Sequence, residues 1–197
     1  MKVFISNKEI EEIAYGLIQV TCGSPASGPI DIDGIARFLG LQVHYERIAE
    51  DDRDKIGFVS NGSYPLCVIR QNQKVGIVFP KETIILDTFL QRPTENCRRR
   101  FVLAHEISHV LINRADPLHN PTCFDREYDL ERCYSLQEFQ ERLNLGECQA
   151  NSMAAMLLMP KPLVTASRYT EIVYCCPVPN RRFTQLLTSC AFLFPHC

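Results

Sequence analysis

FVLAHEISHVL, residues 101–111, sets two histidines four positions apart around a glutamate in an otherwise apolar run. On an α-helix, residues four apart stand one turn above each other on the same face. His105 and His109 are therefore placed to converge on one metal ion. Glu106 leaves the helix at an adjacent position, where its carboxylate can reach a water held by that ion. Peptide hydrolysis needs this division of roles: the histidines hold a zinc ion that acidifies the water, and the carboxylate takes its proton and passes it to the leaving amine. Phe101, Leu103, Ala104, Ile107, Val110, Leu111 and Ile112 supply apolar surface that seats the helix in the fold. A plain core helix would have to bury two histidines and a glutamate unpaired, at a cost of several kcal/mol. A bound metal is the simplest pairing.

A catalytic zinc site carries three protein ligands and one open position. The arrangement with a glycine and a third histidine downstream fails here, because Ile112 and Ala115 occupy those places. Asp116 and His119 lie close in sequence but follow the expected helix end and the Pro117 turn. Glu147 is the better third ligand, since it opens the helical run ECQANSMAAMLLM (147–159). Asn151 lies one turn beyond it on the same face, placed to accept a hydrogen bond from the far nitrogen of a ligand histidine and so fix its tautomer. Met153, Met156, Leu157 and Met159 read as packing against the 101–111 helix, because methionine fills uneven gaps in a core.

Outward from these helices the chain reads as α+β. NKEIEEIAYGLIQV (7–20) predicts a helix capped by Ser6 or Asn7, with Ile10, Ile13, Leu17 and Val20 on one face. DIDGIARFLG (31–40) predicts a short helix closed by Gly40, and LQVHYERI after it a strand. Acidic 50–54 reads as a solvated turn. IGFVS, PLCVIR, KVGIVF and ETIILD, between residues 56 and 87, predict short strands whose tight connections favour antiparallel hairpins. The 101–111 helix should run from about Thr94 to Asn113. SLQEFQERL (135–143) predicts a further helix with a Ser135–Glu138 capping box. Another short helix is expected over RRFTQLLTSCAFL near the end.

The 197 residues, 46% hydrophobic and 22% charged, are enough for one domain with a sizeable core. A net charge of -2 gives no electrostatic argument for nucleic acid or an anionic membrane. MKVFISNKEIEEIAYG has acidic residues where a signal peptide carries an apolar core, and no run approaches the roughly 18 apolar residues of a membrane span. The expectation is a cytoplasmic protein. Its ten cysteines include no CxxC pair, so zinc-ribbon and thioredoxin readings lack their spacing, and most cysteines, Cys175 and Cys176 among them, read as reduced.

Taken together, FVLAHEISHVL (101–111) and ECQANSMAAMLLMP (147–160) resemble the ImmA/IrrE-like family of HExxH zinc metallopeptidases. The resemblance covers residues 9 to 160. It implies a zincin-like α+β fold, with a small, mostly antiparallel sheet packed against an active-site helix and a second ligand-bearing helix. It makes His105, His109 and Glu147 the Zn²⁺ ligands and Glu106 the catalytic carboxylate, and it sets Asn151 behind the ligands. Ser108 stands where the family usually has glycine. Residues 1–160 would form the peptidase domain and 161–197 a C-terminal extension.

Family members are intracellular, often encoded in mobile elements or stress operons beside a helix-turn-helix repressor that they cleave. The resemblance thus implies a protein substrate, a repressor encoded nearby, with no direct nucleic-acid binding. The competing reading is a regulatory protein that keeps the zinc and acts by binding a partner without cutting it. An intact Glu106 argues against that, since a purely structural site needs no carboxylate there. His119, Tyr128 and Tyr169 have chemistry suited to stabilising the oxyanion, but no motif places them. Arg98-Arg99-Arg100 reads as a solvated helix start, and DREYDLE (125–131) as surface.

Overall fold

A computed structural model describes residues 5–23, 29–49, 55–115, 136–161 and 163–164, with side chains of 115 and 136–144 left out of the description. In chain order the elements are α1 (Asn7–Cys22), α2 (Ile32–Phe38), β1 (Gln42–Glu46), β2 (Gly57–Val59), β3 (Leu66–Arg70), β4 (Gln73–Ile77), β5 (Thr83–Asp87), α3 (Asn96–Ala115) and α4 (Leu136–Leu158). Two 3₁₀ turns, Thr88–Gln91 and Pro93–Glu95, lead into α3.

The helix starts follow their local chemistry. Ser6 caps α1 through a capping box with Glu9, and Asp31 caps α2 by accepting from the Gly34 N–H at 2.9 Å. Gly40 takes a positive φ of 74° as the chain leaves α2 for β1, as expected of a residue closing that helix. The buried face of α1 is Ile10, Ala14 and Ile18, with Ile13 and Leu17 packed beside it. Val20, expected on that face, is exposed instead, because it lies half a turn away from Ile18.

The strands form two units rather than one. β1, β5 and β2 make a three-stranded sheet in that order, while β3 and β4 form a separate antiparallel hairpin. β2 runs antiparallel to β5, but β1 runs parallel to it, joined through the intervening strands rather than by a tight turn. The β3–β4 turn is made by Gln71 and Asn72, both at positive φ. The hairpin docks on the chain after β1, where the Ile69 N–H donates to Arg47 O and the Ala49 N–H to Cys67 O, each at 2.8 Å.

Alternation along β5 makes the sheet the middle layer. Ile84 and Leu86 join the main core with the helices, whereas Ile85 faces a second cluster with Phe58, Leu66, Val68 and Phe79 under the hairpin. A strand covered on both faces reads as a continuous apolar run, which TIILD does. The main core is closed by Leu103, Ala104, Ile107 and Val110 of α3 and Met153, Ala154 and Leu157 of α4. The two helical runs expected at 135–143 and 147–159 are one helix, because nothing between them breaks it, Gly146 included. Met159, expected to pack inward, is 42% exposed beyond the end of α4. The expected 50–54 turn, the Ser135 cap and the terminal helix lie outside the described residues.

Two of the three arginines, Arg99 and Arg100, form a clamp rather than a solvated helix start, while Arg98 is exposed as expected. Arg99 donates to both carboxylate oxygens of Asp33 at 2.8 and 2.9 Å and to the Tyr45 hydroxyl at 3.3 Å. Arg100 donates to Ile30 O at 2.6 Å, and Arg98 lies over the Phe89 ring. The start of α3 is thereby tied to α2 and β1. The Arg99 guanidinium holds the Asp33 carboxyl below the ordinary carboxylate range. A depressed folded pKa adds stability that is present above the unfolded value and is lost as the pH falls through the folded one. Asp33→Asn should lower stability by about 1 kcal/mol at pH 7, discounted for its partial exposure. The gap between variant and parent should begin to narrow below about pH 4 and keep narrowing as the pH falls through the lowered folded value, as urea midpoints at pH 7 and pH 3 would show.

Candidate metal centre

The site is built on α3 and completed by α4. α3 is buried over most of its circumference: Val102, Leu103, Ala104, Glu106, Ile107, Ser108 and Val110 are all buried. His105 and His109 emerge on the remaining stripe, which faces α4. Ser108 is wholly buried and turns its hydroxyl back to Ala104 O at 2.7 Å, so it needs no partner outside its own helix. Its small side chain preserves the close packing at this point. Phe101, one turn before His105, stacks on that ring with centroids 6.4 Å apart.

The imidazoles meet edge to face, with Nε2 to Nε2 at 3.0 Å. From α4, Glu147 reaches both, Oε2 to His105 Nε2 at 3.3 Å and Oε1 to His109 Nε2 at 3.4 Å. The ligating atoms of these three residues lie within 4.8 Å of one another. Two imidazole nitrogens and a carboxylate are a donor set that zinc takes, and ligand atoms on a tetrahedral zinc stand about 3.3 Å apart. The donors thus fit a zinc ion in type and spacing. Their side-chain exposures of 17%, 23% and 58% rise from His105 through His109 to Glu147, so the site opens toward solvent on its α4 side.

The electrostatics are those of a cation site. Hydrogen bonds from His105 and His109, with their charges, hold the Glu147 carboxyl far below the ordinary carboxylate range. Burial works against a charged His105, but Glu147 and the charge of Glu106 outweigh it, and the ring's affinity for a proton rises. Glu106 behaves oppositely: burial pushes its carboxyl up, against the pull of the two histidines.

These positions coincide with a family relationship. The IrrE N-terminal-like domain, a peptidase family, matches residues 39–174. The chain belongs to that family. No match was found among curated proteins. The IrrE-like segment spans the sheet, α3 and α4, and so contains all three residues of the candidate cluster. Peptidase family membership and the His105/His109/Glu147 cluster together support a zinc-dependent enzyme. Among the described residues no helix is long and apolar enough to cross a membrane.

Asn151 lies one turn beyond Glu147 on α4. Its side chain is near enough to favour the charged form of His105 but lacks full hydrogen-bond geometry, leaving His105 Nδ1 buried without a bond among the described residues. Gln149 of the same motif is buried and donates to Ile5 O at 2.8 Å, which pins the segment before α1 to the ligand-bearing helix. Asp116, His119, Tyr128, Tyr169 and the 125–131 stretch lie outside the described residues. Gly57, which no motif marks, sits against the Glu106 side chain: a Cβ there would lie 2.7 Å from Glu106 Oε1. A glycine inside an expected strand was the available signal, since it often marks close approach of another group.

Proposed function

We propose that this IrrE-like chain is a zinc metalloendopeptidase that cuts one bond in a cytoplasmic protein partner, a helix-turn-helix repressor encoded nearby. The observation that carries the reading is the buried Glu106 on the same helix as two converging imidazoles, with Glu147 brought to both from α4. His105, His109 and Glu147 would hold the ion, which when bound supplies Lewis acidity toward a water and the scissile carbonyl. Glu106 accepts the water's proton at a carboxylate oxygen and returns it to the leaving nitrogen as the C–N bond breaks. Asn151 would steady the His105 ring from behind.

The sheet offers a place for the substrate backbone. Among the described residues β2 is one of the two edge strands, and the hydrogen bonds of Ile56 and Ser60 to β5 leave Gly57 and Val59 at positions whose N–H and C=O point away from β5. An extended peptide can add there as a further strand, beside Glu106. The family relationship supports a protein substrate, and the repressor follows from the family resemblance of the two motifs.

The test is incubation of zinc-loaded protein with the purified repressor encoded beside its gene, read by intact mass. Two fragments whose masses sum to the repressor plus one water are expected. An uncut repressor that forms a stable complex with the protein would favour the binding-only reading instead.

A further inference from the structure

We infer that Gly57 is a positioning residue for Glu106, the missing side chain on β2 fixing where the carboxylate rests. The inference rests on Glu106 being the base. Backbone conformation does not explain this glycine: the described glycines at positive φ are Gly23, Gly40 and Gly62, so Gly57 has a conformation any residue adopts. Nor does strand propensity, because glycine is among the residues depleted in strands. Space explains it. A Cβ on Gly57 would stand 2.5 Å from Val102 Cγ1, 2.7 Å from Glu106 Oε1 and 3.2 Å from Glu106 Cγ.

Val102 and Glu106 are one turn apart on α3, so both face β2 at the same point. Neither element has room to retreat. β2 is paired with β5 at Phe58–Ile85 and bonded to it through Ile56 O and the Ser60 N–H, and Leu103 and Ile107 on α3 are wholly buried. Val102 is β-branched and stiff at χ1, so it resists by destabilising the contact. The glutamate carboxylate, at the end of a flexible side chain, is the group that moves. Ordinary contact with a methyl group would displace it by about 1 Å, and misplacement on that scale costs about 100-fold in rate.

The experiment separates this role from simple packing by placing Val102→Ala in every chain, which makes room for the methyl on its valine side. In that background Gly57→Ala is expected to leave zinc content unchanged and to lower kcat on the nearby-encoded repressor about 100-fold. KM should stay within about twofold, since the binding edge is retained. Recovery of parental kcat in the Gly57→Ala/Val102→Ala protein would overturn the proposal, making Gly57 a spacer for Val102 alone.

A substrate-free arm uses thermal melting of zinc-stripped protein in the same background. Gly57→Ala should lower Tm by about 3 °C beside Glu106 and by under about 1 °C when Glu106→Ala is also present. Equal shifts in the two backgrounds would overturn the contact itself. Cleavage by Glu106→Gln at the parental rate, with the Tm coupling intact, would instead overturn the base reading and with it the catalytic meaning of the contact.

Discussion

Glu106→Gln is expected to lower kcat by roughly 10²–10⁴-fold while the protein keeps its zinc. Glutamine has the same length and shape, so it fits the narrow space beneath Gly57 that a bulkier group would not. It leaves His105, His109 and Glu147 untouched. What it lacks is a basic oxygen to take a proton from water and return it to the leaving nitrogen. The same substitution should not reduce the thermal stability of the zinc-free protein. Glu106 is only 7% exposed and its carboxyl is pushed up by burial, so its charge is an expense to the fold that a neutral amide avoids. Loss of cleavage, equimolar zinc in the loaded protein and an unchanged or higher Tm in the zinc-free protein are therefore the expected set. Cleavage at the parental rate would remove Glu106 from the mechanism, and loss of zinc would make it part of the metal's support.

The parts of this structure that the sequence discloses are those set by short-range periodicity. His105 and His109 share a face because a helix turns once in about 3.6 residues, and nothing beyond the 101–111 run is needed to see it. The joining of Glu147 to them was legible because ECQANSMAAMLLM reads as helical and matches the family's second motif, although it continues α4 rather than opening a helix of its own. β5 shows itself as a middle-layer strand by its unbroken apolar run. Features that depend on distant partners are silent in the sequence. The Arg99–Asp33 bond spans 66 residues, and three adjacent arginines look like a solvated helix end until Asp33, Tyr45 and Ile30 arrive around them. The parallel pairing of β1 with β5 is hidden in the same way, since adjacent short strands suggest hairpins and the partner of β1 lies beyond three of them. Gly57 is the hardest case. Its role is defined by an atom it does not have, and only the position of Glu106 gives that absence a meaning.

Removing the metal should loosen the joint between α3 and α4. Two of the candidate ligands stand on α3 and the third on α4, so an ion held by them in the folded chain would favour the packed arrangement over the unfolded one. A ligand at about 1,000 times its Kd stabilises the folded state by about 4 kcal/mol. In a chain of this size that corresponds to a Tm shift of roughly 8–16 °C. Chelation of the purified protein should lower Tm by that order, and added Zn²⁺ should restore it. Glu147→Ala tests whether the effect belongs to this site. The variant should bind zinc at least about 100-fold more weakly, more than is typical when a residue behind the ligands is lost. Its Tm should then respond little to the chelator. The Met153, Ala154 and Leu157 packing against α3 persists in both forms, so the apo protein should still unfold cooperatively. A Tm indifferent to chelator in the parent would mean that the two histidines and Glu147 are held by one another, as a polar contact between core helices. A chelator response that survives Glu147→Ala would place the ion elsewhere. A response present in the parent and lost in the variant is the outcome that a zinc bridge between the two helices requires.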